Sequence, residues 1–273
     1  MNNISYWNEL NKDAINEKVA DDTVIILPIG STEQHGPHLP TGVDSFIVED
    51  IISVVLPKVA PNIQVITLPM ISYGKSEEHK AFPGNLSLTG DTLTCVVRDI
   101  VQSVVDNGFK RIIFFNGHGG NYSILGSLMR EFRLAHNIMA VHCDWDSLYN
   151  LKDNIAELDE LKYGIHGGEV ETSLMLATRP ELVNDALCNK FDNKARLVEE
   201  KNVLLRLYGA ISVGWAMHDL NEQGSCGDAS NASATKGEHL INLVSERFAL
   251  LIKEVAEFDL SLLQDSTHNA TSE

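Results

Sequence analysis

Short apolar runs alternate with longer segments of helical periodicity through the first half of the chain, and this alternation restricts the fold more than any other feature. Four of these runs predict strands, at residues 23–28, 63–68, 111–115 and 138–142. Apolar residues recur at helical spacing between them, at residues 43–59, 91–107 and 123–136. Strands separated by helices of this length are typical of βαβ units, so the sequence predicts an α/β protein with a parallel sheet.

The second half of the chain is less regular. The pattern predicts a short apolar helix at residues 170–177, ended by an Arg-Pro pair, and a long closing helix at residues 234–257. Residues 185–223 give a mixed pattern that assigns no element. Because no linker or repeat separates two units, we expect one domain over residues 1–258, followed by a polar, frayed tail at residues 259–273.

The charge balance excludes several classes of partner. The 273 residues include 21 Lys and Arg against 38 Asp and Glu, a formal net charge of −17. A protein that binds a duplex needs clustered basic residues, and this chain has none, so we expect neither nucleic acid nor an anionic membrane as a partner. We also expect no signal peptide, since the N-terminus has no basic region followed by an apolar run, and no membrane span, since no apolar stretch reaches about 18 residues.

The cysteine pattern bears on the cellular compartment. The four cysteines are widely spaced and form no CxxC pair. This spacing predicts neither a thiolate zinc site nor a disulfide framework, and it favours a reducing, cytoplasmic location.

The segment at residues 30–44, GSTEQHGPHLPTGVD, directly follows the first predicted strand, where parallel sheets bind ligands. It holds Glu33, His35, His38 and Asp44, and such mixed oxygen and imidazole donors suit divalent ions. Glu33 and His35 are two residues apart, so in an extended stretch both side chains point the same way. The alternative is a polar loop whose acids cap the next helix.

Two further segments could complete a metal site. NGHGGN follows the third predicted strand and carries His118 among glycines, where it is either a ligand or a turn residue. HGGEVETS carries His166, Glu169 and Glu171 just before an apolar helix. This segment could supply a ligand and a group that moves a proton to a leaving nitrogen, or only acids that favour a helix N-terminus. On a regular helix Glu169 and Glu171 point about 200° apart, so they should have different roles.

Other polar segments could line a substrate pocket. Residues 72–85 could contribute Ser76, Glu77 or His79, or could form an ordinary surface loop. Trp145 follows the fourth predicted strand and could line the same pocket, although a core position is the simpler interpretation.

Together these segments resemble the creatininase (creatinine amidohydrolase) family. The resemblance rests on GSTEQHGPHLPTGVD, FPGN, NGHGGN and HGGEVETS, in this order along the chain. It implies a three-layer α/β/α sandwich around a mostly parallel sheet, in a single domain. It also implies two divalent metal ions per chain, zinc or manganese with iron possible, and a homo-oligomer, hexamers included.

The resemblance also implies which residues bind the ions. Glu33 and His118 would hold one ion, His35 would hold the other, and Asp44 would bridge them. Creatininase itself has a tyrosine and then a metal-binding glutamate after the histidine of the third-strand loop, where this chain has Gly119 and Gly120. Creatininase has an apolar residue at the position of Glu169, so we predict that Glu169 replaces the missing ligand.

These residues predict a metal-dependent amidohydrolase that cleaves a non-peptide C–N amide bond in a small molecule, with a hydroxide bridging the metal ions. The resemblance makes His166 the catalytic residue that transfers the proton, with Glu171 as its carboxylate partner. Lys162 stands where creatininase has a pocket tryptophan, which argues against creatinine as the substrate.

Three reactions fit this prediction. They are the opening of a creatinine-like cyclic amide, removal of a formyl group as by the formylaminopyrimidine deformylases, and trimming of a small peptide. From other classes, the chain could be a metal-binding protein without catalysis. It could also be a nucleotide-binding Rossmann domain, although the glycine fingerprint of that fold is absent.

Overall fold

The computed structural model describes residues 3–263, and within them a five-stranded sheet has only parallel pairings. Its strands are β1 (Ile4–Tyr6), β2 (Val24–Ile29), β3 (Val65–Thr67), β4 (Arg111–Asn116) and β5 (Met139–Asp144). Their order across the sheet is β1-β3-β2-β4-β5. In register, Val24 lies opposite both Val65 and Arg111, and Arg111 lies opposite Met139. The predicted parallel sheet is therefore confirmed.

Helices connect these strands and complete the chain. They are α1 (Lys12–Glu17), α2 (Val43–Val55), α3 (Gly90–Asp106), α4 (Tyr122–His136), α5 (Leu158–Tyr163), α6 (Glu169–Thr178), α7 (Ala195–Lys201), α8 (Met217–Leu220) and α9 (Ala234–Glu257). Two short strands, β6 (Lys190–Phe191) and β7 (Gly227–Asp228), form a separate antiparallel pair.

The helices cover both faces of the sheet, which confirms the three-layer α/β/α arrangement. Along β2, Val24 and Ile26 belong to the core shared with α2, α6 and α9. Ile25 and Leu27 belong to the core shared with α3 and α4 on the other face. Successive side chains of a strand point to opposite faces, so one uninterrupted apolar run fills both cores.

Some elements were not predicted from the sequence. The edge strand β1 has three residues and is only partly buried, so it carries too short an apolar signal to be recognised. The ambiguous residues 185–223 form α7, α8 and β6 among irregular turns. The predicted tail falls mainly on residues 264–273, which lie outside the described residues. Between residues 3 and 263 no helix has the length and apolar character needed to cross a bilayer.

Parallel strands bring distant parts of the chain to one edge of the sheet. The segments that follow β2, β4 and β5 all leave from the carboxyl ends of neighbouring strands. Open α/β sheets bind ligands at this edge, because side chains from several loops can converge there.

The crossing of α6 and α9 is close enough to be tested by mutation. A Cβ atom added at Gly237 in α9 would overlap the backbone carbonyl of Ser173 in α6, whereas one added at Gly126 in α4 would meet nothing within 4 Å. We expect Gly237→Ala to lower the free energy of unfolding by about 1–3 kcal/mol because of overpacking. Gly126→Ala should raise it by about 0.5–1 kcal/mol, since alanine is the better helix former.

Urea denaturation of the two variants measures this difference. Equal stability of Gly237→Ala and the wild type would contradict the close crossing of the two helices.

Candidate metal centre and active site

Side chains from separate segments meet at the carboxyl-terminal edge of the sheet. The structure brings together five of the predicted site residues, each at most 7% exposed: Glu33, His35, Asp44, His118 and His166. The first two follow β2, and the third lies in the first turn of α2. The two later histidines come from the loop after β4 and from the segment before α6.

Asp44 lies between two histidines. Its Oδ1 is 3.1 Å from Nε2 of His35, and its Oδ2 is 3.3 Å from Nδ1 of His118. The same nitrogen of His118 lies 3.3 Å from Oε2 of Glu33. Asp44 Oδ2 is buried and accepts no hydrogen bond from any residue that the structure describes. Each oxygen of Asp44 thus faces one imidazole nitrogen, the arrangement of a carboxylate that two cations could share.

The backbone fixes the other nitrogen of each ring. Nδ1 of His35 lies 3.1 Å from the carbonyl oxygen of Glu33, and Nε2 of His118 lies 2.9 Å from that of Lys75. A carbonyl oxygen only accepts, so both of these nitrogens donate a proton. In the neutral rings the lone pairs are therefore on the nitrogens that face the carboxylates. Histidines that bind metal ions are typically held by such hydrogen bonds.

This arrangement requires positive charge between the rings and the carboxylates. Burial alone would lower the pKa of His35, but Asp44, Glu171 and Glu33 raise it to about 9. Burial opposes charge at His118 too, yet Glu33 and Asp44 hold its pKa well above the usual value. A divalent ion supplies the same charge as these protons. The imidazole and carboxylate donors present fit such an ion.

Glu33 is held in place by several donors. Burial alone would raise its pKa, but the facing histidines, His118 foremost, hold the pKa well below the usual range. Its Oε2 accepts hydrogen bonds from the hydroxyls of Ser31 and Ser76. Its Oε1 lies 3.3 Å from Nε2 of His79, a ring whose other nitrogen accepts from Gln34. Ser76 and His79, predicted to bind substrate, are thus buried supports of Glu33.

His166 is a neutral base beside this cluster. Its Nε2 donates to the carbonyl oxygen of Gln34 at 2.6 Å, which leaves the lone pair on Nδ1, 3.6 Å from Oε1 of Glu33. Burial, together with the nearby His35 and His79, keeps the pKa of His166 well below the usual value. A neutral imidazole with a free lone pair can accept a proton from a group bound in the site.

Glu171 does not hold the ring of His166 as predicted. The hydrogen bond that fixes this ring runs to Gln34, whereas Oε2 of Glu171 accepts from the backbone N–H of Gly167 at 2.6 Å. The same oxygen lies 3.9 Å from Nε2 of His35. Burial raises the pKa of Glu171 to about 7. This carboxylate therefore faces the His35 side of the cluster.

The buried carboxylate of Glu160 holds the backbone of the segment that carries His166. Glu160 in α5 accepts from the backbone N–H groups of Glu169 at 2.7 Å and of Asp228 at 2.8 Å. Added Cβ atoms at Gly164, Gly168 or Gly227 would overlap Oε1 of Glu160, so only glycine fits around it. No local pattern indicated this role, because the partners of Glu160 are distant in the chain.

Glu169 does not join the predicted metal ligands. It is 4% exposed, and its Oε1 forms an ion pair with Nζ of Lys236 in α9. On the first turn of α6 it points away from the side that carries Glu171, as the predicted angle between them requires. The prediction that Glu169 supplies the missing ligand is therefore not supported by its position.

Glu78 occupies the space next to Gly120 instead. A Cβ atom added at Gly120 would lie 2.7 Å from Oε1 of Glu78 and would also overlap Nε2 of His118. Oε1 of Glu78 is 3.5 Å from that nitrogen of His118. Burial raises the pKa of Glu78. A carboxylate from the 72–85 segment thus stands where a side chain at position 120 would reach.

Three groups within the described residues could hold a metal ion, with their ligand atoms within 4.8 Å of one another. They are Glu33 with His35 and His166, Glu33 with Glu78 and His118, and His35 with Asp44 and Glu171. All three groups lie in the one cluster around Asp44 and Glu33. The segments predicted to bind metal ions therefore meet at one place, where Glu78 joins them.

A cavity of about 680 Å³ opens onto this cluster at His118 and Glu171. Its size is within the range of small-molecule sites. Trp145 is 5% exposed and lines the cavity while it also packs in the core, so both of the interpretations considered for it hold. Tyr208 and Trp215, from the ambiguous segment after α7, line it as well. The sequence could not indicate them, because only the tertiary fold brings that segment over the site.

Comparison with known proteins agrees with this geometry. The family model described as creatinine amidohydrolase matches residues 8–252. A creatinine amidohydrolase of Pseudomonas putida is 30% identical over 250 residues, which cover 86% of this chain and 90% of that protein. A mycofactocin precursor peptide peptidase of Mycolicibacterium smegmatis is 29% identical over 222 residues, which cover 80% of this chain and 79% of that protein.

Solved structures agree as well. A manganese form of creatininase superposes with a TM-score of 0.71 at 25% identity, covering 91% of this chain and 97% of that one. Since the family model spans most of the chain and the relatives share both sequence and fold, this chain belongs to the creatininase family of hydrolases.

Proposed function

We propose that this protein is a metal-dependent hydrolase that cleaves a C–N amide bond and binds two divalent ions per chain, zinc or manganese. The observation that carries this proposal is the pair of imidazole nitrogens, on His35 and His118, that face the two oxygens of Asp44. Cations at two adjacent positions would supply the positive charge that this buried arrangement requires. The manganese form of creatininase among the structural relatives supports a divalent ion.

The donor groups suggest which residues would hold each of the two ions. Glu33, His118 and Glu78 would hold one ion, and His35 with Glu171 would hold the other. Asp44 would contribute one oxygen to each. This assignment replaces Glu169 by Glu78 and makes Glu171 a ligand rather than the partner of the His166 ring.

The residues around the ions would carry the proton. When bound, the two ions would lower the pKa of a water molecule and polarise the substrate carbonyl. His166 has a neutral ring whose free Nδ1 faces the cluster, so it would accept a proton at Nδ1 and pass it to the leaving nitrogen. The carbonyl of Gln34 keeps the ring oriented throughout.

The substrate is an amide small enough for the cavity. A cyclic amide, a formamide and the end of a short peptide all meet this condition, and the relatives include both a creatinine amidohydrolase and a precursor peptide peptidase. Lys162, at the position of the pocket tryptophan of creatininase, pairs with Glu199 and is absent from the cavity lining. This difference argues against creatinine as the physiological substrate.

Metal content tests the ligand assignment. We expect about two divalent ions per wild-type chain by plasma mass spectrometry, and fewer than two in Glu78→Gln, because an amide is a weaker ligand than a carboxylate. Glu169→Gln is the matched control, since it removes a buried glutamate that faces Lys236 instead of the cluster.

Two outcomes would contradict the assignment. Loss of an ion from Glu169→Gln with full occupancy in Glu78→Gln would restore Glu169 as the ligand. Absence of stoichiometric metal in the wild type, even after incubation with zinc or manganese, would overturn the metal-dependent mechanism.

Replacement of His166 separates metal binding from proton transfer. We expect His166→Gln to keep its metal ions but to lose about 100- to 10,000-fold in kcat, the usual contribution of a general base. The kcat is measured with the best substrate found when wild-type protein is screened against cyclic amides, formamides and short peptides. His218→Gln, at an exposed position away from the cavity, should keep full activity. Unchanged kcat in His166→Gln would exclude the proposed role.

A further inference from the structure

The lining of the cavity has an unusual balance of charge. Its acidic members are Asp144, Asp146 and Glu171, and its aromatic members are Tyr122, Trp145, Tyr208 and Trp215. No lysine or arginine of the described chain lines it. Glu171 faces the cluster, so the two aspartates and the aromatic rings are the acidic and aromatic lining groups that do not belong to the cluster.

Asp144 is held rigidly at the end of β5. Its Oδ1 accepts from Nδ2 of Asn116 at 2.6 Å and lies 3.0 Å from Nε2 of His142. Both contacts use the same oxygen, so Oδ2 keeps its capacity to accept from a ligand. Asp146 is exposed at the cavity two residues further on. Two carboxylates of one short segment thus border the same space.

The aromatic rings give the cavity flat, apolar walls. Tyr208 and Trp215 meet edge to face, with ring centroids 5.6 Å apart, and the exposed ring of Tyr122 lies on the α4 side. Aromatic faces attract cations, and more strongly where water is partly excluded. A carboxylate on the substrate would meet only like charges on this wall, whereas an ammonium or guanidinium would meet both carboxylates and rings.

We propose that this cavity selects amides that carry an ammonium or guanidinium group on the part of the molecule away from the scissile bond. The inference rests on the proposed function for the identity of the site, and it narrows the substrate class. A cationic amide would present its carbonyl to the cluster and its charge to the aspartates and the rings. Amides that are neutral or anionic at this place would bind less tightly.

Equilibrium binding of two isosteric probes tests the charge preference without any need for turnover. Phenylguanidinium and phenylurea have the same shape and differ in charge. By calorimetry on the protein incubated with zinc or manganese, we expect the guanidinium to bind about tenfold more tightly or better. The preference should fall to about two- to threefold in Asp146→Asn and in Asp144→Asn.

Control variants make the result interpretable. Glu254→Gln removes an equal charge from the exposed face of α9, outside the cavity lining, and should keep the full preference. Asp146 is exposed and fixes no other side chain among the described hydrogen bonds, so Asp146→Asn remains informative even if Asp144→Asn is unstable. Thermal melting of each variant checks its folding.

The possible outcomes separate this inference from the proposed function. Equal binding of the two probes to wild type, or a preference that survives both aspartate replacements, would overturn the charge selection. If the protein nevertheless holds two metal ions and hydrolyses amides, only the substrate class fails. If the charge preference is found but no metal binds, the cavity is a cation site and the hydrolase proposal fails.

Discussion

A buried carboxylate with an imidazole nitrogen opposite each of its oxygens is the constraint around which the site is arranged. Asp44 can occupy this position only if positive charge lies between it and His35 and His118, because lone pairs and anionic oxygens repel at such distances in a medium of low dielectric constant. Backbone carbonyls hold the far nitrogens of both rings, so rotation of the rings cannot relieve the repulsion. The cluster therefore favours positive charge at these two places.

The residues around Asp44 add to this requirement for positive charge. Glu33 adds a further anionic group, held by two serine hydroxyls and by His79. His166 stands beside the cluster as a neutral ring, fixed by a carbonyl instead of by a carboxylate. The same low-dielectric environment thus favours charge on two histidines and a neutral ring on the third. The three rings differ because carboxylates face His35 and His118, whereas a carbonyl oxygen fixes His166. The first two rings are therefore suited to hold ions, and the third is suited to move a proton.

The fold contributes by bringing these groups together. A parallel sheet directs the ends of β2, β4 and β5 to one edge, and Glu160 with its surrounding glycines ties the His166 segment to the β7 region. The loop after α7 adds aromatic rings over the opening. The residues that could hold metal ions follow strand ends or lie at helix starts, and the cavity beside them is lined both by the ends of β4 and β5 and by the loop after α7.

The apolar runs and helical segments by themselves determined a parallel α/β architecture, because the burial of apolar side chains follows such local patterns, and the resemblance to the creatininase family added the three layers. The sequence also predicted most residues of the buried cluster that could hold metal ions, because imidazoles and carboxylates that follow parallel strands are the donors that divalent ions prefer, at the edge where such sheets bind ligands. Only the tertiary structure showed that Glu169 lies away from the cluster and that Glu78 lies beside it. Lys236, 67 residues away, neutralises the first, and the packing of the 72–85 segment brings the second beside His118. Ion pairs and cavity walls depend on distances between remote segments, which no local pattern encodes.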